Sequence, residues 1–440
     1  MTRMKESGID WIGQIPEEWE VIKVKFFTYM KGRIGWQGLK ADEFIDEGPY
    51  LVTGTDFKNG RVNWDTAYHI SQKRYEQAPE IQLKQGDLLV TKDGTVGKLA
   101  LIDELPDSAS LNSHLLVLRP LFNRYDNHFL YYVLSSLEFK NYFQKVSIGS
   151  TMDSLSQEKM GEFIFALPNI NEQSSISRYL DKKTAQLDKV KALLEEQIQK
   201  LKDYRASLIY ETVTKGLDKT VPMKDSGIDW IGQVPEGWGV SKLEQYVDIF
   251  GRIGFRGYTT NDIVNEGEGA ISYSPSNIID YSVIDNNNTY ISWSKYDESP
   301  EIQIKTGDVL YVKTGSSYGK AGIVNKLSNK ATINPQLVVL KPKKNTDSRL
   351  INYFLNSSVG KEQSELIVGG STIPTITQES IKKMIFPKMS FEEQQKIVDF
   401  LDKKTVQIDQ LIQIKNKQIG NINKQRQTLI YDYVTGKRRV

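Results

Sequence analysis

Two fragments of this sequence contain the Gly-Lys pair that often binds nucleotide phosphates. They are GTVGKL, which starts at Gly94, and GSSYGKA, which starts at Gly315. A phosphate-binding loop needs four residues between its two glycines and a Ser or Thr directly after the Lys. Neither fragment has this spacing, so we do not expect the chain to bind a nucleotide.

Other fragments resemble parts of catalytic sites but lack the remaining residues. The run Glu80–Lys84 and its later counterpart Glu301–Lys305 look like the end of a metal-dependent nuclease motif, yet no Asp lies upstream at a convincing spacing. Such chemistry needs several carboxylates around a metal ion, and an edge strand explains both runs more simply. His114 is replaced by Gln336 at the equivalent later position, so no shared chemistry depends on an imidazole there. We therefore predict no catalytic residues, no metal ligands and no cofactor.

The composition narrows the class of protein. The chain has 440 residues, 57 basic and 55 acidic side chains, a net charge of +2 and no cysteine. This length suits roughly two to four domains, and the lack of cysteine excludes disulfides and thiolate chemistry. The small net charge neither requires nor excludes a nucleic-acid partner. Because there is no apolar signal region and no long apolar run, we expect a cytoplasmic protein without a membrane segment.

The elements that must position the candidate residues occur twice in the chain. The segment KESGIDWIGQ at Lys5–Gln14 returns as KDSGIDWIGQ at Lys224–Gln233, with eight consecutive identical residues. Such identity over a shift of about 220 residues indicates an internal duplication. The chain is thus predicted to contain two copies of one unit.

A long helix is predicted at the end of each copy. Residues 172–214 contain no Gly or Pro, and Leu recurs at every seventh position from Leu180 to Leu208. A shift of 221 residues keeps this apolar seam at four of five places, and the LDKKT segment Leu180–Thr184 recurs identically at Leu401–Thr405. A helix of this length, roughly 65 Å, needs another long helix along its seam. We expect two antiparallel helices that form a coiled coil and separate two equivalent lobes; two unrelated surface helices are the alternative.

Each copy also contains a lobe of the α/β or α+β class. Short apolar and β-branched runs with Gly-Asp turns predict a small, mostly antiparallel sheet or barrel. A helix and a Gly-Ser-Thr corner follow before the long helix. The predicted domains are residues 1–168 and 217–388, each an opening segment with its lobe, and residues 169–216 and 389–440, the two long helices.

Tryptophans mark the opening segment of each copy. Trp11 and Trp19 in the first copy, and Trp230 and Trp238 in the second, stand beside Gly and Pro turn signals. They are predicted to be packing anchors, with base stacking as the alternative. We further expect the C-terminal end of the chain to lie beside Trp11, as Thr214 lies near Trp230, so that the copies close into a circular arrangement.

A Gly-rich loop follows the opening segment in both copies. It reads GRIGWQG at Gly32–Gly38 and GRIGFRG at Gly251–Gly257. A cation and an aromatic ring on a glycine backbone suit a phosphate or a base edge. The alternative is a Gly-rich turn whose Arg33 or Arg252 covers the core.

Four features of the sequence together resemble the specificity subunit of type I restriction-modification systems. They are GIDWIGQIPEEW, the Gly-Asp turn followed by Gly-Lys, the Asn-containing strand entry and the EQ…LDKKT…LI…VT helix. The resemblance covers essentially the whole chain in both copies. It implies two pseudo-symmetric target-recognition domains joined by two long antiparallel helices, and a subunit that is not itself an enzyme. It also implies that each lobe reads one half of a bipartite double-stranded DNA target. The implied partners are two methylation subunits and two restriction subunits.

The family pattern transfers no base-reading residue by position, so the candidates come from the loops of this sequence. Arg, Lys, Asn, Gln, Ser and Thr in turns can hold phosphates or read base edges, and the basic ones favour phosphate. For the first lobe the candidates are Arg33, Trp36, Lys92, Lys98, Asn112, His114, Ser150 and Thr151. For the second lobe they are Arg252, Arg256, Lys313, Lys320, Asn334, Gln336, Ser371 and Thr372. An enzyme with unrecognised motifs and a coiled-coil scaffold that binds only proteins are the rival interpretations.

Overall fold

The structure is a computed structural model that describes residues 3–33, 39–147, 154–368 and 374–440. The chain forms two compact units, the first made of Met1–Leu194 with Asn416–Val440 and the second of Glu195–Lys415. Both unit boundaries fall inside a long helix, so each long helix contributes one part to each unit.

The first unit contains the first lobe, which we define as Met4–Leu167, and parts of both long helices. Its strands are β1 Met4–Glu6, β2 Gln14–Pro16, β3 Glu20–Lys23, β4 Thr28–Lys31, β5 Phe44–Val52, β6 Phe57–Lys58, β7 Arg61–Val62, β8 Tyr68–Ile70, β9 Leu88–Thr91, β10 Leu99–Leu101, β11 Ala109–Leu111, β12 Leu115–Pro120 and β13 Ile164–Leu167. Its α-helices are α1 Val24–Phe27, α2 Gln72–Glu76, α3 Asn127–Leu134, α4 Leu137–Ser147, α5 Gln157–Glu162 and the long α6 Ile170–Lys215.

Two larger sheets build the first lobe. The six-stranded sheet has the order β4-β12-β9-β10-β7-β6, and the three-stranded sheet has the order β11-β5-β8. All their pairs are antiparallel except β10 with β7 and β11 with β5, which are parallel. Two small antiparallel pairs, β1-β2 and β3-β13, complete the lobe. This arrangement agrees with the mostly antiparallel sheet predicted from the short apolar runs.

The central strand β9 explains where the core lies. All four of its residues are buried, and the three apolar ones alternate between two apolar clusters. Leu88 and Val90 face the cluster that includes α3 and the long helices, whereas Leu89 faces the cluster shared with the three-stranded sheet. Because successive side chains of a strand point to opposite faces, the six-stranded sheet has an apolar core on each side.

The second unit repeats this plan in its own lobe, which we define as Met223–Lys388. Its strands are β14 Met223–Asp225, β15 Gln233–Pro235, β16 Gly239–Lys242, β17 Val247–Gly251, β18 Ile263–Val264, β19 Gly269–Tyr273, β20 Ile278–Ile279, β21 Ser282–Val283, β22 Thr289–Ser292, β23 Val309–Val312, β24 Ala321–Ile323, β25 Ala331–Ile333, β26 Leu337–Pro342 and β27 Ile385–Lys388. Its α-helices are α7 Trp293–Asp297, α8 Ser348–Asn356, α9 Ser358–Val368, α10 Gln378–Lys382 and the long α11 Phe391–Val434.

The sheet order of the second lobe matches that of the first. The six-stranded sheet runs β17-β26-β23-β24-β21-β20, and a four-stranded sheet runs β18-β22-β19-β25. The small pairs are β14-β15 and β16-β27. Two α/β lobes of one topology, each with long helices, confirm the predicted fold class.

The LDKKT segment joins each lobe to a long helix. Leu180 is fully buried, the hydroxyl of Tyr132 donates to Asp181 at 2.6 Å, and the hydroxyl of Thr184 donates to the Leu180 carbonyl at 2.8 Å. Burial raises the pKa of Tyr132, so the phenol stays a neutral donor. The second unit repeats these contacts with Tyr353, Leu401, Asp402 and Thr405. Three of the five repeated residues are therefore explained by packing.

The long helices run antiparallel within each unit. In the first unit, the rings of Tyr179 and Tyr433 lie 4.7 Å apart, and Asp188 pairs with Arg426 at 3.7 Å. The partner numbers fall as the α6 numbers rise, which defines antiparallel pairing. In the second unit, Gln197 accepts from Lys415 at 2.6 Å and Arg205 pairs with Asp409 at 3.5 Å, with the same direction. The pairing agrees with the predicted antiparallel helices.

The end of each long helix closes onto an opening segment. In the first unit, the Tyr431 hydroxyl donates to the Trp11 carbonyl at 3.3 Å, and Lys437 Nζ donates to the carbonyls of Ile12 and Gln14 at 2.8 Å. In the second unit, Gly216 lies against the ring of Trp238. The contacts of Tyr431 and Lys437 confirm the expected position of the C-terminal helix end, and in the second unit the helix end meets the opening segment at Trp238.

The tryptophans of the opening segments pack against protein. Trp19 is fully buried and its indole N–H donates to Glu172 at 3.1 Å, while the Trp11 ring stacks on Phe163 at 5.8 Å. Trp238 is also buried, and Trp230 packs against the core of its unit. This placement favours packing anchors over base stacking.

Among the helices of the described residues, none is both long and apolar enough to cross a membrane. Within the same residues, no three His, Asp or Glu side chains are grouped so that they could hold a metal ion.

The closure of the helix end onto the opening segment makes a testable prediction about two glycines. Gly436 has φ +72°, and a Cβ atom there would lie 2.3 Å from Cδ of Pro16. We expect Gly436→Ala to lower the free energy of unfolding by about 1 kcal/mol or more. Gly420 lies inside α11 with open space around it, so Gly420→Ala should raise that free energy by about 0.5–1 kcal/mol.

Urea unfolding followed by circular dichroism measures both changes. Equal shifts of the two variants, in either direction, would contradict the packing of Gly436 against the opening segment.

Candidate nucleic-acid interface

One end of the six-stranded sheet gathers the loops of the first lobe. Neighbouring strands β4, β12, β9 and β10 alternate in direction, so the end of one lies beside the start of the next. The register places Leu115, the first residue of β12, opposite Thr91, the last residue of β9. We call this end of the sheet the strand-end edge. In the second lobe, Leu337 faces Val312 at the equivalent place.

Four predicted residues of the first lobe lie at this edge. The backbone N–H of Lys92 donates to the His114 carbonyl at 2.8 Å, and the side chain of Asn112 accepts from the His114 N–H at 3.0 Å. The Lys98 N–H donates to the Thr91 hydroxyl at 2.9 Å. These bonds form a fixed polar corner from which the His114 side chain projects, 62% exposed.

The corner borders a cleft of about 390 Å³ in the first lobe. Lys98, Asn112 and His114 line it, together with Asp93 and four threonines. The stacked rings of Phe44 and Tyr68, with centroids 4.7 Å apart, also border it. Hydrogen-bonding groups beside an aromatic wall provide the two kinds of contact that nucleic-acid bases make.

The second lobe has the same corner with a different projecting side chain. The Lys313 N–H donates to the Gln336 carbonyl at 2.9 Å, and the Asn334 side chain accepts from the Gln336 N–H at 3.0 Å. The amide of Asn334 also donates to Oε1 of Gln336 at 3.1 Å. The Lys and Asn bonds of the corner are therefore repeated, while imidazole in the first lobe is replaced by a carboxamide in the second.

The backbone of Lys320 lies beside the end of β23, where its carbonyl accepts from the Val312 N–H at 2.9 Å. Lys320 also borders a separate cleft of about 540 Å³ with the side chains of Tyr318 and Lys361. Arg256 lies in the Gly-rich loop, and its guanidinium donates to Glu301 at 3.4 Å. Both remain accessible side chains on the second lobe.

The two arginines of the Gly-rich loops are buried and hydrogen-bonded within their lobes, which favours the alternative that they cover the core over a contact with DNA. Arg33 is 3% exposed and donates to the Leu111 carbonyl and the Ser110 hydroxyl, both at 2.9 Å. Arg252 is 5% exposed and donates to the Ile333 carbonyl at 3.1 Å. Burial lowers the pKa of Arg33 to about 10 and also lowers the pKa of Arg252. The guanidinium groups are covered, and their bonds to the carbonyls of Leu111 and Ile333 hold β11 and β25 in place.

Five predicted residues lie outside the described residues: Trp36, Ser150, Thr151, Ser371 and Thr372. Sequence reasoning missed the acidic residue of the cleft, Asp93, as well as its threonines and the aromatic pair Phe44 and Tyr68. Oδ2 of the Asp93 carboxylate lies 3.1 Å from Nδ1 of His114. The Asp-Gly turn that follows the apolar strand β9 could have indicated Asp93. It was not chosen because basic and amide side chains, and not carboxylates, are expected to contact DNA.

The fold and the two edges define a protein with one recognition scaffold used twice and different chemistry at each site. A family model for the type I restriction modification DNA specificity domain matches residues 16–202 and again residues 235–435. The chain belongs to this family, and its function is DNA sequence recognition in a type I restriction-modification complex.

Relatives agree with this assignment, and solved structures share the fold. The chain is 26% identical to the type I restriction enzyme MjaVIII specificity subunit of Methanocaldococcus jannaschii, covering 97% of this chain and 94% of the relative. It is 20% identical to the EcoKI specificity subunit of Escherichia coli K12, covering 95% and 89%. Its fold matches a chain from a solved type I R-M system with a TM-score of 0.74 at 17% identity, covering 96% and 99%. The HsdS subunit of Thermoanaerobacter tengcongensis gives 0.53 at 16% identity, covering 96% and 98%.

The different roles of buried and exposed cations can be tested by alanine substitution. Arg33→Ala leaves the Leu111 carbonyl and the Ser110 hydroxyl without their donor, so we expect a loss of about 2–4 kcal/mol in unfolding free energy. Lys98→Ala removes an exposed side chain, and it should change the unfolding free energy by less than about 0.5 kcal/mol. Urea unfolding of both variants measures the difference. Wild-type stability in Arg33→Ala would mean that the guanidinium is not a structural element.

Proposed function

We propose that each lobe reads one half of a bipartite double-stranded DNA target through its strand-end edge. The observation that carries this proposal is the repeated corner with unlike side chains, His114 in one lobe and Gln336 in the other. A constant scaffold with a changed hydrogen-bonding group is what two different half-sites require, because base edges differ in their donors and acceptors.

The proposed contacts divide by chemistry. The cations Lys92, Lys98, Arg256, Lys313 and Lys320 hold phosphates, which positions the duplex without reading sequence. The groups proposed to read base edges are Asn112, His114, Asn334 and Gln336. Trp36, Ser150, Thr151, Ser371 and Thr372 remain proposed DNA contacts from the sequence. The division into residues 1–168, 169–216, 217–388 and 389–440 remains a proposal as well.

We further propose that the chain has no catalytic activity of its own. Its long helices set the spacing of the half-sites, and they also recruit the other subunits of the complex. Two exposed helix faces support the recruitment. We define the helix stripe as exposed residues at matching positions, spaced i, i+3 and i+4 along each helix. On α6 it consists of Lys182, Ala185, Gln186, Lys189, Val190 and Leu193, and on α11 of Lys403, Val406, Gln407, Gln410, Leu411 and Ile414.

The two halves of the helix stripe have the same chemical character. Val190 and Leu193 correspond to Leu411 and Ile414, and all four are apolar side chains exposed to solvent. An apolar patch on a helix surface is suited to covering by a partner protein. Two equivalent patches suit two copies of one partner, as expected for two methylation subunits, with two restriction subunits joining for cleavage.

The proposed function is tested by co-expressing this chain with the methylation subunits of its own system and mapping methylated adenines in the host genome. We expect one split motif with a fixed spacer, which disappears when this chain is omitted. A soluble assembled complex that produces no motif would contradict sequence recognition and favour a protein-binding scaffold.

Co-purification from the same co-expression tests the helix stripe. A variant with Leu193→Glu and Ile414→Glu should keep the circular dichroism spectrum of the unaltered chain, because both side chains are exposed, yet it should fail to co-purify with methylation subunits. Glu196→Gln and Lys417→Gln, at exposed matching positions beyond the stripe, serve as the control pair. Full assembly by the double glutamate variant would contradict the proposed docking face.

A further inference from the structure

A carboxylate at a DNA-binding edge needs an explanation, because it repels the phosphates that the surrounding lysines attract. Asp93 is such a group: it borders the first-lobe cleft beside Lys98, Asn112 and His114. Its side chain is 37% exposed. No Lys or Arg of the described residues forms an ion pair with Asp93, so the charge is not neutralised within the lobe by such a pair.

Asp93 is held firmly in its loop. The hydroxyl of Thr91 donates to the Thr95 carbonyl at 2.5 Å, and the Gly97 N–H donates to the Thr91 carbonyl at 2.9 Å. These bonds close the turn that carries Asp93 directly behind β9. A loop fixed in this way presents its carboxylate in a defined direction, as direct reading of a base requires.

The carboxylate also has unused capacity to accept hydrogen bonds. Oδ2 contacts Nδ1 of His114 at 3.1 Å, whereas the buried Oδ1 makes no hydrogen bond with any described residue. Rotation about the broad terminal torsion of an aspartate exchanges the two oxygens. A carboxylate accepts and does not donate, so an acceptor such as a phosphate oxygen, guanine O6 or thymine O4 is repelled.

The complementary groups on DNA are the exocyclic amino groups of cytosine and adenine, both of which donate in the major groove. Every base pair carries one such amino group in that groove, so a fixed acceptor selects the strand on which it lies. We propose that Asp93 determines specificity in the first lobe by accepting a hydrogen bond from the amino group of a cytosine or adenine in the first half-site. This inference rests on the proposed function.

The second lobe provides a natural contrast. Thr314 occupies the position of Asp93, and its backbone pairs with Thr375. A threonine hydroxyl both donates and accepts, so the second lobe lacks this charge-based selection. The two lobes therefore differ in chemistry at this position, as they do at His114 and Gln336.

The experiment compares the unaltered chain with Asp93→Asn and Asp93→Ala, each assembled with methylation subunits, on DNA of random sequence. Methylated sites are sequenced. For the unaltered complex we expect a defined first half-site, and the position at which the variants lose discrimination identifies the base that Asp93 reads. In both variants discrimination at that one position should fall by roughly tenfold or more, while the second half-site and the spacer stay unchanged.

Glu104→Gln is the matched control. Glu104 is an exposed carboxylate of the same lobe, just beyond the far end of β10 from the cleft, so its loss changes the charge equally. It should leave the motif unchanged. Asp93→Asn preserves the side-chain shape and keeps the test valid if Asp93→Ala misfolds, which thermal unfolding would detect.

The possible outcomes distinguish a failure of the proposed function from a failure of the role of Asp93. Absence of any split motif with the unaltered chain overturns the proposed function, and this inference with it. A split motif that keeps the same stringency in Asp93→Asn and Asp93→Ala overturns only the role of Asp93. A uniform loss of methylation at all sites, without a changed base position, shows a merely structural residue and also overturns the inference.

Discussion

The attachment of each lobe to a long helix is the interaction on which the rest of the structure depends. A buried leucine, an aspartate that accepts from a lobe tyrosine and a buried threonine make this contact in both units. Losing the tyrosine hydroxyl would leave a carboxylate in a half-buried site without its donor, which is costly. Because three residues of LDKKT serve this contact, Lys182 and Lys403 remain exposed and available to partners.

With the lobe fixed in this way, sheet geometry determines where recognition takes place. Antiparallel alternation brings the ends of β9 and β4 and the starts of β12 and β10 to one edge. Exposed side chains at that edge, such as those of Lys98 and His114, do not belong to the two apolar cores, so they can change with little loss of stability. The Asn-anchored corner is kept in both lobes because it shapes the backbone. His114 and Gln336 differ because each side chain projects beyond that backbone.

The parts predictable from sequence are those with a strong repeat or period. The duplication and the leucine period of seven predict two long helices, and the structure extends the first only slightly, to Ile170–Lys215. The corner at Asn112 is also predictable, since an Asn before a strand forms a local turn.

The burial of Arg33 could not be predicted, because it depends on the Leu111 carbonyl 78 residues away. An arginine in a glycine-rich loop looks the same in sequence whether it faces solvent or a distant strand. Asp93 was missed because its role depends on His114, which only the fold brings near.

The central claim is that each strand-end edge contacts one half-site. The most direct measurement replaces His114, Gln336 or Glu104, one at a time, with a photoreactive amino acid in the complex assembled with methylation subunits. After irradiation on a duplex that carries the mapped motif, the cross-linked bases are identified. We predict that position 114 labels one half-site, position 336 labels the other, and position 104 labels neither. Labelling from position 104 with none from 114 and 336, or labelling of one half-site by both lobes, would contradict the account.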